Sequence, residues 1–299
     1  MDKPAIALVA VPGRRQAILD LACEAERRGF SGIYTPSVSD AVSLCASLAH
    51  VTERITFGTA IQPIYLRHPL NLGEAAAFVQ ETSGGRFVLG IGVSHGPIHS
   101  RLGVQVGKPL SDTRDYVEQM RASASDKAPL PPVVLATLRT RMLQLAAEVG
   151  DGAMWANGAR SHMAESLAVV PAERRDGFFV GNMIPTVIDE DKAAAAAIHR
   201  RTLSGYVSLP NYRNYWKEAG YVEEMDAIEK ALEAGERDRL PELMSDRWLS
   251  DVTLYGSAAE VRDGVEAWRE AGVSTPILVP SSTSGGQAKA VEELFAAYE

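Results

Sequence analysis

The sequence predicts one α/β domain, a single (β/α)8 TIM barrel with a helical insertion between its seventh and eighth strands. Three observations predict it. About eight short apolar runs have the length of strands, helical patterns alternate with them, and 299 residues suffice for one barrel of this kind. The domain is expected to span residues 1–299, with the insertion at about 204–250 near the active-site mouth. A two-domain, doubly wound protein is the structural alternative at this length.

The clearest repeat lies at 55–97. Residues 55–61 (ITFGTAI) and 86–91 (RFVLGI) read as strands, and 71–82 between them reads as a helix. Leu72, Ala75, Ala76 and Val79 fall on one helical face, which suits packing on a sheet. Gly84-Gly85 ends the helix, because glycine takes the left-handed C-cap conformation without a Cβ clash. Such a strand–helix–strand unit is a right-handed parallel crossover. Upstream, residues 5–11 (AIALVAV) form a continuous apolar run, as in a strand buried on both faces. Residues 16–28 repeat Ile18, Leu21, Ala22 and Ala25 at helical spacing and stop at Gly29. Residues 32–35 are a second strand, and Asp40 is the N-cap of a helix that reaches Val51.

Downstream, 112–122 is a helix, 123–132 a polar connection and 133–136 a fifth strand. A helix at 139–149 turns Met142, Leu145 and Ala146 inward. A sixth strand at 152–155 ends at Asn157-Gly158, and a short helix at 161–170 has Ser161 as its N-cap. The seventh strand, 178–183, is closed by Pro185, and an Ala-rich helix follows at 190–203. A helix at 258–271 feeds the eighth strand at 273–279, and a last helix covers 286–298. The stretch 204–250 is too long for a plain strand-to-helix connection. It holds Tyr206, Tyr212, Tyr215, Trp216, Tyr221 and Trp248, and reads as extra helices that either cover the barrel mouth or pack on its side.

Composition and missing motifs narrow the function. A formal net charge of -8 without a long basic run argues against nucleic acid as partner. Hydrophobic residues at 46% and charged residues at 23% describe an ordinary globular chain. Cys23 and Cys45 belong to no CxxC pair and suggest reduced thiols in a cytoplasmic protein. No apolar run nears the ~18 residues of a membrane span, and residues 6–11 are too short for a signal-peptide core. The P-loop, GxGxxG, GxSxG and HExxH patterns are absent, and none of the six histidines forms a helical metal pair, so no metal site is expected.

Several strings in order carry a resemblance. These are Gly29-Phe30, Thr52-Glu53-Arg54-Ile55, Gly58-Thr59-Ala60-Ile61, Leu66-Arg67-His68-Pro69, Ser83-Gly84-Gly85-Arg86-Phe87 and Leu89-Gly90-Ile91-Gly92. Leu145 to Glu148 with Gly150-Asp151-Gly152 extends the set, as does Gly256 to Val261 with Ala271-Gly272-Val273. Together the chain resembles the bacterial luciferase-like superfamily of flavin- or deazaflavin-dependent oxidoreductases, whose fold is the same (β/α)8 barrel. The resemblance implies coenzyme F420 as cofactor, with FMN as the alternative, bound at the carboxyl ends of the strands. It implies a non-prolyl cis peptide at Ala60–Ile61, at the end of strand three, against the ring. A homodimer is also implied and, for an FMN enzyme, a flavin reductase partner.

Two loops are the candidate site. In residues 90–96, Gly90 and Gly92 let the backbone approach a ligand, while Ser94 and His95 offer side-chain donors. In deazaflavin-using members that oxidise sugar phosphates, a catalytic glutamate aligns with His95. Histidine, with an ordinary pKa near 6.5, can act there as an acid or base or can bind an anion. The acidic residue and histidine those members carry after strand two align with Ser37-Val38. The expected cofactor-binding set is Ser37, Ala60, Ile61, Gly92, Val93, Ser94, His95, Gly96, Ala136, Thr137, Leu138, Ala156, Asn157 and Gly158, with His95 as the catalytic residue. The leading expectation is hydride transfer between coenzyme F420 and a small organic substrate. An FMN-dependent monooxygenase is the alternative, and a barrel that binds flavin or a small ligand without turnover is the alternative of another class. A metal-dependent hydrolase on the same barrel is a further one.

Overall fold

The computed structural model describes residues 2–36, 40–122, 124–125 and 128–299. Short apolar runs separated by glycine and proline become ten strands: β1 (Lys3–Ala7), β2 (Phe30–Thr35), β3 (Thr56–Thr59), β4 (Gln62–Pro63), β5 (Phe87–Gly92), β6 (Val133–Ala136), β7 (Gly152–Ala156), β8 (Phe179–Ile188), β9 (Leu254–Gly256) and β10 (Thr275–Ser281). The chain forms two compact units, one reaching Trp155 with Ala168–Gly181, the other Ala156–Leu167 with Asn182–Glu299.

In the first unit β1, β2, β3, β5, β6 and β7 follow one another in sequence and in space, each pair parallel. Helices α1 (Arg15–Arg27), α2 (Ala41–Val51), α3 (Pro69–Thr82), α4 (Gly96–Leu102), α5 (Pro109–Ala122) and α6 (Thr140–Val149) join them. All six residues of β5 are buried, as a strand covered on both faces requires. Asp40 caps α2 by accepting from the Ser43 N–H and also pairs with Arg67 at 3.2 Å. In α6 the inward residues are Leu143, Leu145, Ala146 and Ala147; Met142, expected inward, is half-exposed because the buried stripe starts one residue later.

Two clasps fix the amino ends of β3 and β5. The Glu26 carboxylate accepts from the backbone N–H groups of Glu53, Arg54 and Ile55. The Arg86 guanidinium donates to the carbonyls of Ala49, Thr52, Ile55 and Ser83. The strings around residues 52–55 and 83–87 are therefore scaffold: they anchor the strands at the end away from the carboxyl-terminal loops.

The second unit holds α7 (Met163–Leu167), most of β8, then α9 (Lys192–Val207), α10 (Pro210–Glu218), α11 (Val222–Glu233), α12 (Asp246–Val252), β9, α13 (Ala258–Glu270), β10 and α14 (Gln287–Ala297); α8 (Ala172–Arg175) lies in the first. Here β8 pairs with both β9 and β10. The expected closure of the seventh strand at Pro185 is wrong: β8 runs on to Ile188. Its second half, Thr186 to Ile188, is partnered by β9, a three-residue strand too short to leave a sequence pattern. Residues 204–250 are helical, as expected. Ser161 is not the N-cap of a helix at 161–170. It sits inside a 3-10 turn, Arg160–His162, and its side chain is taken by Asp251. Eight strands, β1, β2, β3, β5, β6, β7, β8 and β10, give the strand–helix succession of a (β/α)8 barrel, with β4 and β9 as short additions.

Candidate active site

In the first unit the carboxyl ends of β3 and β5 are built around glycine. The peptide Ala60–Ile61 is cis, and Gln62 and Pro63 then pair with Ile91 and Gly92. A Cβ on Gly90 would lie well inside van der Waals distance of the Thr59 carbonyl oxygen and 3.3 Å from Ile61 Cγ2; one on Gly92 would lie 2.6 Å from Ala136 Cβ. Only glycine permits this approach of β5 to its neighbours. Thr59 Oγ1 donates to the Gly90 carbonyl at 2.6 Å and fixes the pair.

After β5 the chain turns at Ser94, which holds a left-handed φ of 64°. A side chain there costs about 1–2 kcal/mol. The next residue, His95, is half-buried at the N-cap of α4. Burial and, second, the neighbouring His99 ring push the His95 pKa below its ordinary value, so the imidazole is neutral at pH 7. His99 Nε2 hydrogen-bonds the Val93 carbonyl, which makes that nitrogen the protonated one. Its ring stands edge-on to Tyr65 at 5.6 Å, and the Tyr65 hydroxyl donates to Asp112 at 2.7 Å. After β6, Thr137 donates its N–H to the Met154 carbonyl, but its Oγ1, in a residue only 4% exposed, has no protein partner. Leu138 offers its carbonyl to Trp155 Nε1.

In the second unit, the residues after β7 form the other loop. Asn157 is left-handed as well, with φ 56°. Its N–H donates to the Met183 carbonyl and its own carbonyl accepts from Trp216 Nε1. The hydroxyls of Tyr206 and Tyr212 stand beside its side chain, whose buried Nδ2 has no hydrogen-bond partner among the described residues. Gly158 N–H donates to Asn182 Oδ1 at 3.2 Å, Ala159 N–H to the Tyr215 hydroxyl at 2.9 Å. Ser161 N–H and Oγ both donate to Asp251, which also accepts from the Tyr221 hydroxyl. The aromatic residues of the insertion pack in a row, Tyr206 edge-on to Tyr212 at 5.1 Å, Tyr212 tilted against Trp216 at 5.3 Å, Trp216 edge-on to Trp248 at 4.9 Å. The insertion is thus bound to the carboxyl end of β7.

A family model described as luciferase-like monooxygenase matches residues 7–275. The chain belongs to this family. It is an oxidoreductase of the luciferase-like class. A Mycobacterium tuberculosis protein whose name assigns it provisionally to the coenzyme F420-dependent oxidoreductases is 26% identical over 93% of this chain and 93% of its own length. Among solved structures, the coenzyme F420-dependent tetrahydromethanopterin reductase of Methanopyrus kandleri superposes with a TM-score of 0.78 at 18% identity, covering 99% of this chain and 98% of that one. A monooxygenase of Streptomyces bottropensis gives 0.65 at 18% identity, covering 99% and 98%. These likenesses show the fold, the luciferase-like (β/α)8 barrel.

The structure brings Ala60, Ile61, Gly92 and Ala136 into one packed cluster, with Val93, Ser94, His95 and Gly96 on the turn that leaves it and Thr137 and Leu138 following β6. Ala156, Asn157 and Gly158 form the start of the second loop. Ser37 lies outside the described residues. Sequence reasoning did not find Asn182, fully buried on β8, whose Nδ2 has no protein partner. Nor did it find Asp251 as an anchor. An asparagine inside an apolar strand run was the only signal available for the first, and none existed for the second. Among the described residues no group of His, Cys, Asp and Glu is arranged to hold a metal ion, and no helix is long and apolar enough to cross a membrane.

Proposed function

We propose that this protein transfers hydride between coenzyme F420 and a small organic substrate. One observation carries the reading: the glycine-built turn after β5, beside the cis Ala60–Ile61 peptide, presents a left-handed Ser94 and a neutral His95 at the carboxyl end of a barrel strand. The name of the Mycobacterium relative supports F420 over FMN. A flat heteroaromatic ring with polar edges fits what the first unit offers. The backbone approach at Gly90 and Gly92 leaves room for a plane, and the buried Thr137 Oγ1 is an unused polar group of the kind a bound molecule satisfies.

Bound there, coenzyme F420 supplies a carbon centre that gives or takes hydride without oxygen chemistry. Ala60, Ile61, Gly92 and Val93 would back the ring, Ser94, His95 and Gly96 would border it, and Ala136, Thr137 and Leu138 would follow its edge. Ala156, Asn157 and Gly158 stay assigned to the cofactor's tail on the resemblance. A neutral imidazole at His95 accepts the proton that leaves an alcohol-type substrate during oxidation, and returns it in the reverse direction. We further propose a homodimer, which light scattering tests.

The decisive experiment is an absorbance titration of the purified protein with coenzyme F420 and, separately, FMN. Tight F420 binding with weak FMN binding is expected. The reverse order would replace this reading with an oxygen-using monooxygenase served by a flavin reductase. Binding of neither would remove the cofactor assignment.

A further inference from the structure

The loop after β7 leaves one charged group unused. Its backbone N–H groups at 157, 158, 159 and 161 and the Ser161 hydroxyl are each taken within the unit, while the Asn157 side-chain Nδ2 has no partner among the described residues. The Asn157 backbone is held by Met183 and Trp216, Gly158 by Asn182, Ala159 by Tyr215 and Ser161 by Asp251. Arg160 stands among them. It is half-buried, and among the described residues its guanidinium has neither an ion-pair nor a hydrogen-bond partner. Asp251, the carboxylate that serves the adjoining residue, is already spent on Ser161 and Tyr221.

An arginine held partly out of water normally finds a carboxylate, because its charge is then costly to leave uncompensated. Other arginines of this chain held out of water do so or clasp carbonyls: the buried Arg213 pairs with Glu229 at 3.1 Å, and the half-buried Arg86 takes its row of carbonyls. Arg160 does neither, although the chain has an acidic excess, with a net charge of -8. The rigidity of its loop matters too. A guanidinium on a loop already fixed on both sides is pre-organised, so a ligand orders little when it binds.

We propose that Arg160 is the receptor for a carboxylate of a ligand bound at the carboxyl end of β7. A carboxylate, rather than a phosphate dianion, fits the chemistry. One planar guanidinium matches one carboxylate through two parallel hydrogen bonds. A phosphate dianion would also call on the backbone donors around it, and those of Gly158, Ala159 and Ser161 are taken. The carboxylate comes either from the glutamate tail of coenzyme F420 or from the substrate. Only the first source rests on the proposed function.

The test compares the intact protein with Arg160→Gln and Arg160→Lys. Each is titrated by absorbance with coenzyme F420 carrying its glutamates and with the same deazaflavin phosphate truncated before them. Thermal shift is then recorded against succinate and against benzoate. If the tail is the source, Arg160→Gln weakens the full coenzyme at least tenfold, leaves the truncated form unchanged, and Arg160→Lys recovers part of the loss. If the substrate is the source, both cofactor affinities stay the same, while saturable stabilisation by succinate or benzoate is lost in Arg160→Gln. Equal weakening of the full and truncated forms would overturn the carboxylate assignment, because it would place a phosphate at the arginine. Identical behaviour of all three proteins in both arms would overturn the proposal altogether. Failure of the unaltered protein to bind either cofactor form would refute the F420 reading alone, and the succinate and benzoate arm would still decide on Arg160.

Discussion

The turn after β5 and the loop after β7 solve the same problem in opposite ways. Each follows the carboxyl end of a barrel strand, and each holds one non-glycine residue in the left-handed region, Ser94 and Asn157. The first is shaped from inside the sequence. Two glycines two residues apart let β5 approach Thr59, Ile61 and Ala136, and the side chains of the turn are left half-exposed. The second is shaped from outside. Its partners come from 24 to 90 residues further along the chain, on β8, α10 and α12. A turn with few fixed donors can meet a reacting group. A loop whose donors are consumed can only present what is left over. The chemistry of hydride and proton transfer therefore belongs with the first, and fixed recognition with the second.

The largest effect should come from the first turn. Replacing His95 by Gln keeps a polar side chain but removes the base, and general-base groups contribute about 10²–10⁴-fold in rate. Turnover is expected to fall by that order with the cofactor affinity little changed. The pH profile sharpens the point. Because burial and His99 depress the His95 pKa, the acid limb of the activity profile should have its midpoint below pH 6.5. An acid limb with its midpoint above 6.5, or one that survives in His95→Gln, would assign the proton transfer to another group.

Stability separates the two regions next. Gly90→Ala drives a methyl into the Thr59 carbonyl, backbone that cannot move aside without shifting β3. Overpacking of this kind costs about 3 kcal/mol, read as a lower urea midpoint together with loss of cofactor binding. Asp251→Ala removes the acceptor of three hydrogen bonds, from Ser161 N–H, Ser161 Oγ and the Tyr221 hydroxyl. A loss of about 2 kcal/mol is expected from donors left without their charged partner. The insertion should then loosen from the second loop, seen as faster hydrogen exchange at residues 158–161. Unchanged exchange there would mean that Tyr215 and Trp216 suffice to hold it.

How much of this could be seen in the sequence follows the same division. The first turn was legible because its cause is local. Gly90 and Gly92, and the small Ala60 before Ile61, stand in the sequence where the structure uses them. The strand and helix succession was legible for the same reason, since apolar period and glycine stops act within a few residues. The second loop was not. Ser161 looked like an N-cap because serine before a helical pattern usually is one, yet a carboxylate 90 residues away outcompetes the helix for it. Pro185 looked like a strand end because it lacks an N–H, yet β9 supplies a partner beyond it. Asp251, Tyr215 and Trp216 carried no local mark of their role.

The smallest effect is also the one that most directly opposes the two left-handed residues. Glycine adopts this conformation freely, so a substitution to glycine removes the steric cost but adds chain entropy to the unfolded state. Among the described residues no hydrogen bond to the Ser94 side chain is part of the turn, so the two terms nearly cancel. Ser94→Gly should lie between no change and about 1 kcal/mol of stabilisation. At Asn157 the steric relief is smaller, because asparagine tolerates the left-handed region. The packing of its buried side chain beside the Tyr206 and Tyr212 hydroxyls is lost at the same time. Asn157→Gly should therefore destabilise by about 1 kcal/mol, from the cavity its buried side chain leaves and the entropy added to the unfolded chain. Both are measured by urea unfolding at constant m-value. Opposite signs would establish that the first turn is set by backbone and the second by its partners. Equal destabilisation would mean that the Ser94 side chain also has an acceptor, and that the turn after β5 is more tightly determined than its glycines imply.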